Sequence, residues 1–195
     1  MQVRLAEAAT DATAIAAIYA PEVRDGYASF ELEPPSSAEM AARIERTLRS
    51  TPWLVAVADD EVVGYAYAAR HRERPGYRWS VDVSTYVAEA WRGRGVGARL
   101  YRSLLALLRL QGFINVYAGV AQPNEGSMRL HRAIGMREVG TYHRVGYKHG
   151  RWYDVTWLEM AIGERGEHPA EPVRLAELLA TDAGRVSARA PLEDG

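Results

Sequence analysis

The sequence predicts an α+β fold in which a mixed, mostly antiparallel central sheet of about seven strands is flanked by about four helices. The first observation behind this prediction is the order of apolar patterns, which reads strand, helix pair, strand triplet, helix, strand, helix and strand pair. This order differs from the strict alternation of a doubly wound sheet. The second is length, since 195 residues suit one domain of ordinary size. The third is composition, because 48% hydrophobic and 25% charged residues are typical of a globular protein.

The first half of the chain carries a short strand, a helix pair and a hairpin. Apolar residues at spacings of three and four predict the first helix, and we expect Thr10 to cap it. Ser36 and Glu39 have the spacing of a capping box and begin the second helix, which continues to about Ser50. Asp59 and Asp60 are turn residues that join two strands into a hairpin. The predicted strands are 1–5, 53–58 and 61–69.

The second half begins with a strand over 79–87, on which apolar residues alternate with Asp82, Ser84 and Tyr86. A stripe of leucines predicts a long helix over 98–110, with Gly112 as its C-terminal stop. The remaining predicted elements are a strand at 115–120, a short helix at 124–134 and closing strands at 137–145 and 151–161.

We assign residues 1–162 to one domain and 163–195 to a C-terminal tail. The tail has an excess of acidic over basic residues and little periodicity outside 173–180. It is predicted to be partly ordered at best.

Composition excludes several classes of function. The 24 basic and 25 acidic residues balance to a net charge of −1, so we expect no nucleic-acid partner. No apolar run approaches the roughly 20 residues that span a bilayer, and Met1 to Asp11 lacks the pattern of a secretory signal. Without cysteine, the chain has no disulfide, thiolate metal site or cysteine nucleophile. We therefore expect a cytoplasmic protein, and since the histidines lack metal-ligand spacing, no metal.

The most informative segment is the glycine-rich loop 92–97, which lies between a strand and the long helix. Its three glycines allow close approach of the backbone to a ligand, and the helix N-terminus favours a phosphate. Arg92 and Arg94 add positive charge, so the loop suits a pyrophosphate. The G-x-G-x-G spacing without a following Lys-Ser/Thr pair is neither a P-loop nor a dinucleotide fingerprint. Taken alone, the loop is equally compatible with a turn that merely starts a helix.

This R-x-x-G-x-G loop resembles the acetyl-CoA pyrophosphate loop of GNAT-fold N-acetyltransferases. More narrowly, the chain resembles the phosphinothricin and methionine sulfoximine acetyltransferase branch, in order over residues 2–160. The matching stretches are 27–34, 52–56, 64–68, 84–87, 123–124, 127–131 and 146–152.

The resemblance implies the GNAT fold and direct transfer of acetyl from acetyl-CoA to a primary amine in a ternary complex. It also implies a homodimer by family analogy. The positions that it assigns to the pantetheine arm, the pyrophosphate and the rest of the CoA are Thr85, Tyr86, Val87, Arg92, Gly93, Arg94, Gly95, Val96, Gly97, Ala98 and Asn124. Asn124 is also a plausible N-cap of the short helix, and the two roles are compatible.

An ammonium substrate must lose a proton before it attacks the thioester, so the reaction needs a base. Asp82 occupies the position where the resembled family usually has Glu, with a side chain one methylene shorter. The alternative is a strand Asp satisfied by the backbone or by Arg78. His131 matches a family histidine that would be a second base or a proton relay, and its alternative is a packed helix residue. Tyr101 is a fallback general acid whose alternative is core packing.

The amine acceptor is expected to meet the basic loop after the hairpin. Arg72, Arg74 and Tyr77 match family positions that shape the acceptor pocket, and Arg suits carboxylate or phosphinate. Phe30 is expected to cover the apolar part of the substrate, and Val155 to close the pocket. The alternatives are a solvated loop for the arginines and a core contact for Phe30.

Lys148 and His149 lie in a glycine-bounded turn. They are assigned either to a pocket completed across a dimer or to the turn alone.

Three readings of function remain open at this point. The first is an enzyme that acetylates a small amino-acid-like acid, such as phosphinothricin, methionine sulfoximine or methionine sulfone. The second is a protein N-terminal or lysine acetyltransferase, and the third a non-catalytic acyl-CoA-binding module. Small differences in pocket volume separate the small acceptors, so the sequence does not rank them.

Overall fold

The computed structural model describes residues 1–181 and 184. One seven-stranded sheet has the order β1-β2-β3-β4-β5-β7-β6. The strands are β1 (Gln2–Leu5), β2 (Trp53–Ala58), β3 (Glu61–Arg70), β4 (Ser80–Val87), β5 (Asn115–Ala121), β6 (Arg137–Lys148) and β7 (Arg151–Ala161). The helices are α1 (Ala8–Arg24), α2 (Ser37–Leu48), α3 (Val96–Gln111), α4 (Glu125–Ala133) and α5 (Leu175–Leu179), with short 3-10 helices at Pro75–Tyr77 and Glu89–Trp91.

The sheet is mixed, and its strand directions confirm the predicted α+β class. β4 and β5 run parallel, while every other neighbouring pair is antiparallel. The parallel pair marks the place where the chain leaves the sheet, forms α3 and returns. Among the described helices, none has the length and apolar character that crossing a bilayer requires.

The sheet separates two apolar cores, because successive side chains of a strand point to opposite faces. On one face the leucine stripe of α3 is fully buried against residues such as Val81 and Val83 of β4. On the other face α1 and α2 pack on a core that includes Trp53 and Tyr65. The predicted alternation along β4 is confirmed, since Tyr86 packs against this second core.

β4 and β5 are paired over a short stretch only and then diverge. Their parallel register runs from Ser80↔Asn115 to Asp82↔Tyr117. Beyond it, β4 continues to Val87 on β3 alone, and β5 continues on β7. The two strands thus diverge into a gap in the middle of the sheet, which positions the site described below.

The start of α1 differs from the prediction. The helix begins at Ala8 with Glu7 as the N-cap residue, so Thr10 is not the cap. The reason is Asp11, whose carboxylate accepts the N–H of Glu7 at 2.8 Å and two hydrogen bonds from Arg4 at 2.6 and 2.8 Å. A side chain inside the helix thereby holds the backbone of the N-cap residue, as the acidic residue of a capping box does, although no side chain caps the first turn.

The predicted capping box of α2 is confirmed. Ser36 Oγ accepts the N–H of Glu39 at 3.2 Å, and Glu39 Oε2 accepts the N–H of Ser36 at 2.7 Å. This reciprocal pair fixes the start of α2 after the loop that follows α1.

The end of β6 also differs from the prediction. The strand continues to Lys148, and the turn consists of His149 and Gly150, both with positive φ. Lys148 is buried, and its Nζ donates to the carbonyl oxygens of Ser29 at 2.6 Å and Glu22 at 3.2 Å. It therefore ties β6 to the end of α1 within one chain, because a buried ammonium needs acceptors. Burial lowers the pKa of Lys148.

The segment after Gly163 packs against the domain as far as the structure describes it. Buried Gln111 donates through Nε2 to the carbonyl oxygens of Ser50 at 2.7 Å and Val173 at 2.8 Å. Leu175 and Leu178 of α5 are buried, and α5 falls within the stretch 173–180 that carried the periodicity. Residues 182–183 and 185–195 of the predicted tail lie outside the described residues, and the domain boundary at residue 162 stays a prediction.

Candidate active site

A cavity of about 540 Å³ opens where β4 and β5 separate. Its walls are the end of β4, the glycine-rich loop with the first turn of α3, the end of β5 and the start of α4. The cavity brings together most of the predicted cofactor residues, namely Thr85, Tyr86, Val87, Arg92, Gly93, Gly95, Val96, Gly97, Ala98 and Asn124. The predicted position missing from this lining is Arg94, whose guanidinium lies 5.1 Å from the ring centre of Trp91.

The backbone of β4 presents alternate residues to this cavity. The C=O of Ser80 and the N–H of Ala88 both bond towards the β3 side, whereas the C=O of Trp79 bonds to residues entering β5. In an antiparallel pair such directions alternate along the strand, and the β3–β4 register has no shift. The positions whose N–H and C=O groups point away from β3 into the gap are Val83, Thr85 and Val87. Of these, the C=O of Val87 accepts from Arg92 Nε, whereas Thr85 lies beyond the stretch paired with β5, so its N–H and C=O are ready to bind an extended amide-bearing ligand.

The side chain of Tyr86 points away from the cavity, into the core beneath α1. Its ring stacks on Tyr65 at 5.3 Å and meets Tyr19 edge-on at 5.0 Å, in the core beneath α1. Burial raises the pKa of Tyr86 well above its usual range. Tyr86 therefore contributes backbone to the cavity wall and anchors the strand through its ring.

The glycine-rich loop forms the floor of the cavity. Gly93 and Gly95 have φ of 72° and 80°, and Gly95 is the N-cap residue of α3. A Cβ at either position would meet no heavy atom of the described residues within 4 Å, so each glycine borders open space. The N–H groups in the first turn of α3 have no acceptor within the helix. Such an arrangement can hold an anion.

Gly97 has a different function in the same loop. A Cβ there would come within 2.9 Å of Leu130 Cδ2. This glycine lets α3 and α4 approach closely, and so sets the distance between two walls of the cavity.

Arg92 is held in place by neighbouring groups. Its Nε donates to the carbonyl oxygen of Val87 at 3.1 Å, and its guanidinium pairs with Glu22 at 2.6 Å. Asn124 caps α4, since its Oδ1 accepts the N–H of Ser127 at 3.0 Å. The N-cap prediction for Asn124 is confirmed, while its contact with CoA stays a prediction.

His131 and Tyr101 meet at the back of the cavity. His131 Nδ1 donates to the carbonyl oxygen of Ser127 at 2.7 Å, so Nε2 is left to accept from the Tyr101 hydroxyl at 3.0 Å. Burial lowers the pKa of His131 and, more strongly, raises that of Tyr101. A neutral histidine with both nitrogens engaged has no vacant site for a proton from the amine. The predicted role as a second base would therefore need the Tyr101 hydroxyl to turn away.

Asp82 occupies the last paired position before the gap opens, and its partner is a histidine. Asp82 Oδ1 lies 2.6 Å from His71 Nδ1. Burial raises the pKa of Asp82, although the hydrogen bond from His71 opposes this shift. The alternative partner, Arg78, is paired with Glu171 instead. His71 was missed because its approach to Asp82 follows from the β3–β4 register, which spacing along the chain does not reveal.

Aromatic side chains surround His71 on the α1–α2 face of the sheet. Its ring stacks on Tyr117 at 4.5 Å, and the rings of Tyr77 and Trp157 meet it edge-on at 6.0 and 6.4 Å. The structure therefore brings the predicted acceptor residue Tyr77 together with Asp82. Val155 lies close by on β7, where a Cβ at Gly119 would be 3.3 Å from Val155 Cγ1.

The remaining predicted acceptor residues are more dispersed. Arg72 is exposed, and its guanidinium donates to the carbonyl oxygen of His71 at 2.8 Å. Arg74 is exposed and forms no hydrogen bond or ion pair through its side chain with the described residues. Phe30 is 37% exposed and packs on Gly146 and Tyr153 of the late strands, so it is not a core residue. Within residues 1–181 and 184, no three His, Asp or Glu side chains cluster as metal ligands would.

Comparison with known proteins gives consistent matches. The family model for the acetyltransferase (GNAT) domain matches residues 4–157. A phosphinothricin N-acetyltransferase of Streptomyces coelicolor is 40% identical over 149 residues, 74% of this chain and 87% of the relative. An L-methionine sulfoximine/L-methionine sulfone acetyltransferase of Pseudomonas aeruginosa is 35% identical over 154 residues, 78% and 90% of the two chains.

A solved structure matches over nearly the same span. A GNAT-superfamily phosphinothricin acetyltransferase from Sinorhizobium meliloti, crystallised with acetyl-CoA, superposes with a TM-score of 0.82. It is 36% identical in sequence, and the match covers 88% of this chain and 94% of that one. The family match over residues 4–157 spans all seven strands except the ends of β1 and β7, and it includes the glycine-rich loop of this chain.

Proposed function

Because the chain belongs to the GNAT acetyltransferase family, we propose that it transfers acetyl from acetyl-CoA to the primary amine of a small amino-acid-like acid. The observation that carries this proposal is the cavity at the split between β4 and β5, which continues onto the N-terminus of α3. The free backbone groups at the edge of β4 fit the uncharged pantetheine arm of CoA, and the N-terminus of α3 fits its anionic pyrophosphate.

The residues of this chain divide between the two parts of the donor. The backbone of Thr85 and the N–H of Val87 hold the amide-rich pantetheine arm, and Tyr86 anchors the strand through its buried ring. Gly93, Gly95 and the first N–H groups of α3 hold the pyrophosphate, with charge from Arg92 and Arg94. Acetyl-CoA supplies an activated acyl group, so no covalent acyl-enzyme is required from a chain that lacks cysteine.

The amine is deprotonated on the α1–α2 face of the sheet, beside the point where β4 separates from β5. Asp82 belongs to the group that accepts the proton, since it lies where the gap between β4 and β5 begins and its carboxylate is half-buried. A base positioned in this way typically accelerates proton removal by about 10² to 10⁴-fold. His131 and Tyr101, at the back of the cavity, serve the leaving thiolate as a hydrogen-bonded pair.

The acceptor is a small anionic amine, as the substrates named for the relatives suggest. Phosphinothricin, methionine sulfoximine and methionine sulfone each carry an amino-acid head and a polar tip. The exposed guanidinium of Arg74 and the nearby Arg72 supply positive charge for carboxylate or phosphinate. Tyr77 beside His71, Val155 on β7 and Phe30 against Tyr153 provide apolar surface for the rest of the acceptor. A homodimeric state, a cytoplasmic location and metal-independent transfer stay predictions.

The alternatives have less support. A non-catalytic acyl-CoA-binding module would need the cavity but not the half-buried Asp82 and His71 beside it. A protein acetyltransferase would need room for a peptide backbone. The aromatic enclosure around His71 instead suits a compact acceptor.

Substitution of Gly95 tests whether the cavity between β4 and β5 binds acetyl-CoA. We expect Gly95→Trp to weaken acetyl-CoA binding at least about tenfold, because the side chain would fill the open space and strain a residue at φ 80°. Isothermal titration calorimetry with acetyl-CoA measures this directly. Gly140→Trp is the matched control, since Gly140 lies on β6 away from the cavity with open space around its Cβ. Equal affinities of Gly95→Trp and the parent protein would refute the assignment of the cavity.

A further inference from the structure

His71 stands next to Asp82 with one ring nitrogen committed and the other free. Nδ1 lies 2.6 Å from Asp82 Oδ1, and the His71 side chain is 13% exposed. Among the described residues, Nε2 has no hydrogen-bond partner. If the carboxylate accepts from Nδ1–H, the lone pair of the imidazole is left on Nε2. The pair thus has the arrangement of a base and the carboxylate that orients it.

Neighbours on several elements hold the His71 ring in one plane. Tyr117 of β5 stacks on it, while Tyr77 and Trp157 flank it edge-on, and its own backbone N–H bonds to Ser80 at 3.3 Å. A ring fixed by stacking and by one hydrogen bond presents its second nitrogen in a defined direction. The titratable and charged groups facing the pair are Tyr67 of β3, Tyr77 of the 3-10 helix, Tyr117 of β5 and Arg72 of the same loop.

The length of Asp82 explains why a second group is needed. Its carboxylate is one methylene closer to the strand than the Glu expected from the resemblance, and Oδ1 is taken by His71. The imidazole extends the reach of the carboxylate from the strand edge by the width of a ring.

We propose that His71 Nε2 accepts the proton of the substrate ammonium, and that Asp82 is the positioning residue that fixes the His71 tautomer. The inference rests on the proposed function and specifies which atom acts as the base. His71 is then a catalytic residue, whereas Asp82 acts through it.

The proton and bond balance of the step is complete. One ammonium proton moves to Nε2 and later to solvent, and the free amine forms the C–N bond to the acetyl carbon. The C–S bond breaks, and the second nitrogen proton ends on the CoA sulfur. The products are the N-acetylated acid, CoA thiol and one released proton.

Kinetics of variants at two positions, His71 and Asp82, test the assignment. His71→Phe keeps an aromatic ring against Tyr117 but removes the base, so we expect kcat to fall about 10² to 10⁴-fold with acetyl-CoA affinity unchanged by calorimetry. Asp82→Asn should lower kcat and shift the pH profile of kcat/KM, and Asp82→Glu should restore part of the rate. Added imidazole should raise the rate of His71→Ala but not that of Asp82→Asn.

A second measurement does not depend on how the variants fold. Nitrogen-detected NMR of the wild-type imidazoles should show His71 as the Nδ1–H tautomer at pH 8. An Nε2–H tautomer, or a His71→Phe variant with the parent's kcat and pH profile, would overturn the proposal while leaving the acetyltransferase function intact. A wild-type protein that binds acetyl-CoA but acetylates no amine would overturn both.

Discussion

His131 shows how one residue's protonation can be fixed by its surroundings. It is buried between α3 and α4, donates from Nδ1 to a carbonyl oxygen and accepts at Nε2 from Tyr101. Charging this ring would break the bond from Tyr101 and place an ammonium-like charge in a region of low polarity. These surroundings favour the neutral ring with its proton on Nδ1.

This state makes stability depend on pH. Burial lowers the folded-state pKa of His131 below its usual value of 6.5, so the unfolded chain binds a proton more readily. The free energy of unfolding should then fall as the pH drops from 6.5 towards the folded-state pKa, by at most about 1.4 kcal/mol per pH unit for one proton. Above 6.5 this contribution is fully present. Urea unfolding at pH 5, 6 and 7 measures the slope.

The matched variant for this prediction is His131→Gln, which removes the titrating group and keeps a polar side chain. We expect its unfolding free energy to be lower at pH 7 but to change less between pH 7 and 5 than that of the parent. Parallel pH dependences in the two proteins would contradict a neutral buried His131.

Single residues also show where sequence reasoning was insufficient. Asp82 was identified because it occupies the position of the Glu in the resembled family, but its contact with His71 depends on strand pairing. Lys148 was assigned to a turn because glycines flank it, whereas β6 extends to it and its ammonium is satisfied by distant carbonyl groups. Thr10 was chosen as a cap because its type favours caps, yet the helix begins earlier, where Asp11 accepts the N–H of the N-cap residue Glu7. In each case a long-range or competing contact decided the outcome.

At the scale of elements, α5 contributes to the main core. Leu178 is 5% exposed and packs in the core on the α3 side of the sheet. Gln111 at the end of α3 donates hydrogen bonds to Ser50, which follows α2, and to Val173, which precedes α5. The described part of the segment after Gly163 therefore adds apolar burial to the domain.

Truncation of Leu178 tests this contribution. Leu178→Ala should lower the free energy of unfolding by about 2 to 5 kcal/mol, as expected for a buried leucine that leaves a cavity. Leu110→Ala on α3 is the control, since Leu110 is 44% exposed and the change should cost no more than about 0.5 kcal/mol. Denaturant unfolding monitored by circular dichroism compares the two. Equal losses would mean that α5 does not pack as described.

Element types were predictable because local patterns are strong here. The leucine stripe of α3, the capping box of α2 and the alternation on β4 each depend on residues a few positions apart. The glycine-rich loop was recognised as a helix start for the same reason. The divergence of β4 from β5, which creates the cavity, follows from long-range strand pairing, and no short-range pattern in the sequence encodes it.

For the whole molecule, the split sheet separates the two halves of the proposed reaction. The donor cavity opens towards α3 and α4, while Asp82, His71 and their aromatic neighbours lie on the α1–α2 face. The two sides meet where β4 loses contact with β5, immediately after Asp82. An arrangement of this kind brings donor and acceptor together at one point, as direct transfer requires.

The most direct test of this account is a steady-state thiol-release assay in which acetyl-CoA and phosphinothricin are varied together, with methionine sulfoximine as a second acceptor. Direct transfer in a ternary complex predicts CoA release that depends on the acceptor, with double-reciprocal lines that intersect. Parallel lines would indicate an acyl-enzyme, and acceptor-independent or undetectable CoA release would contradict the proposed activity.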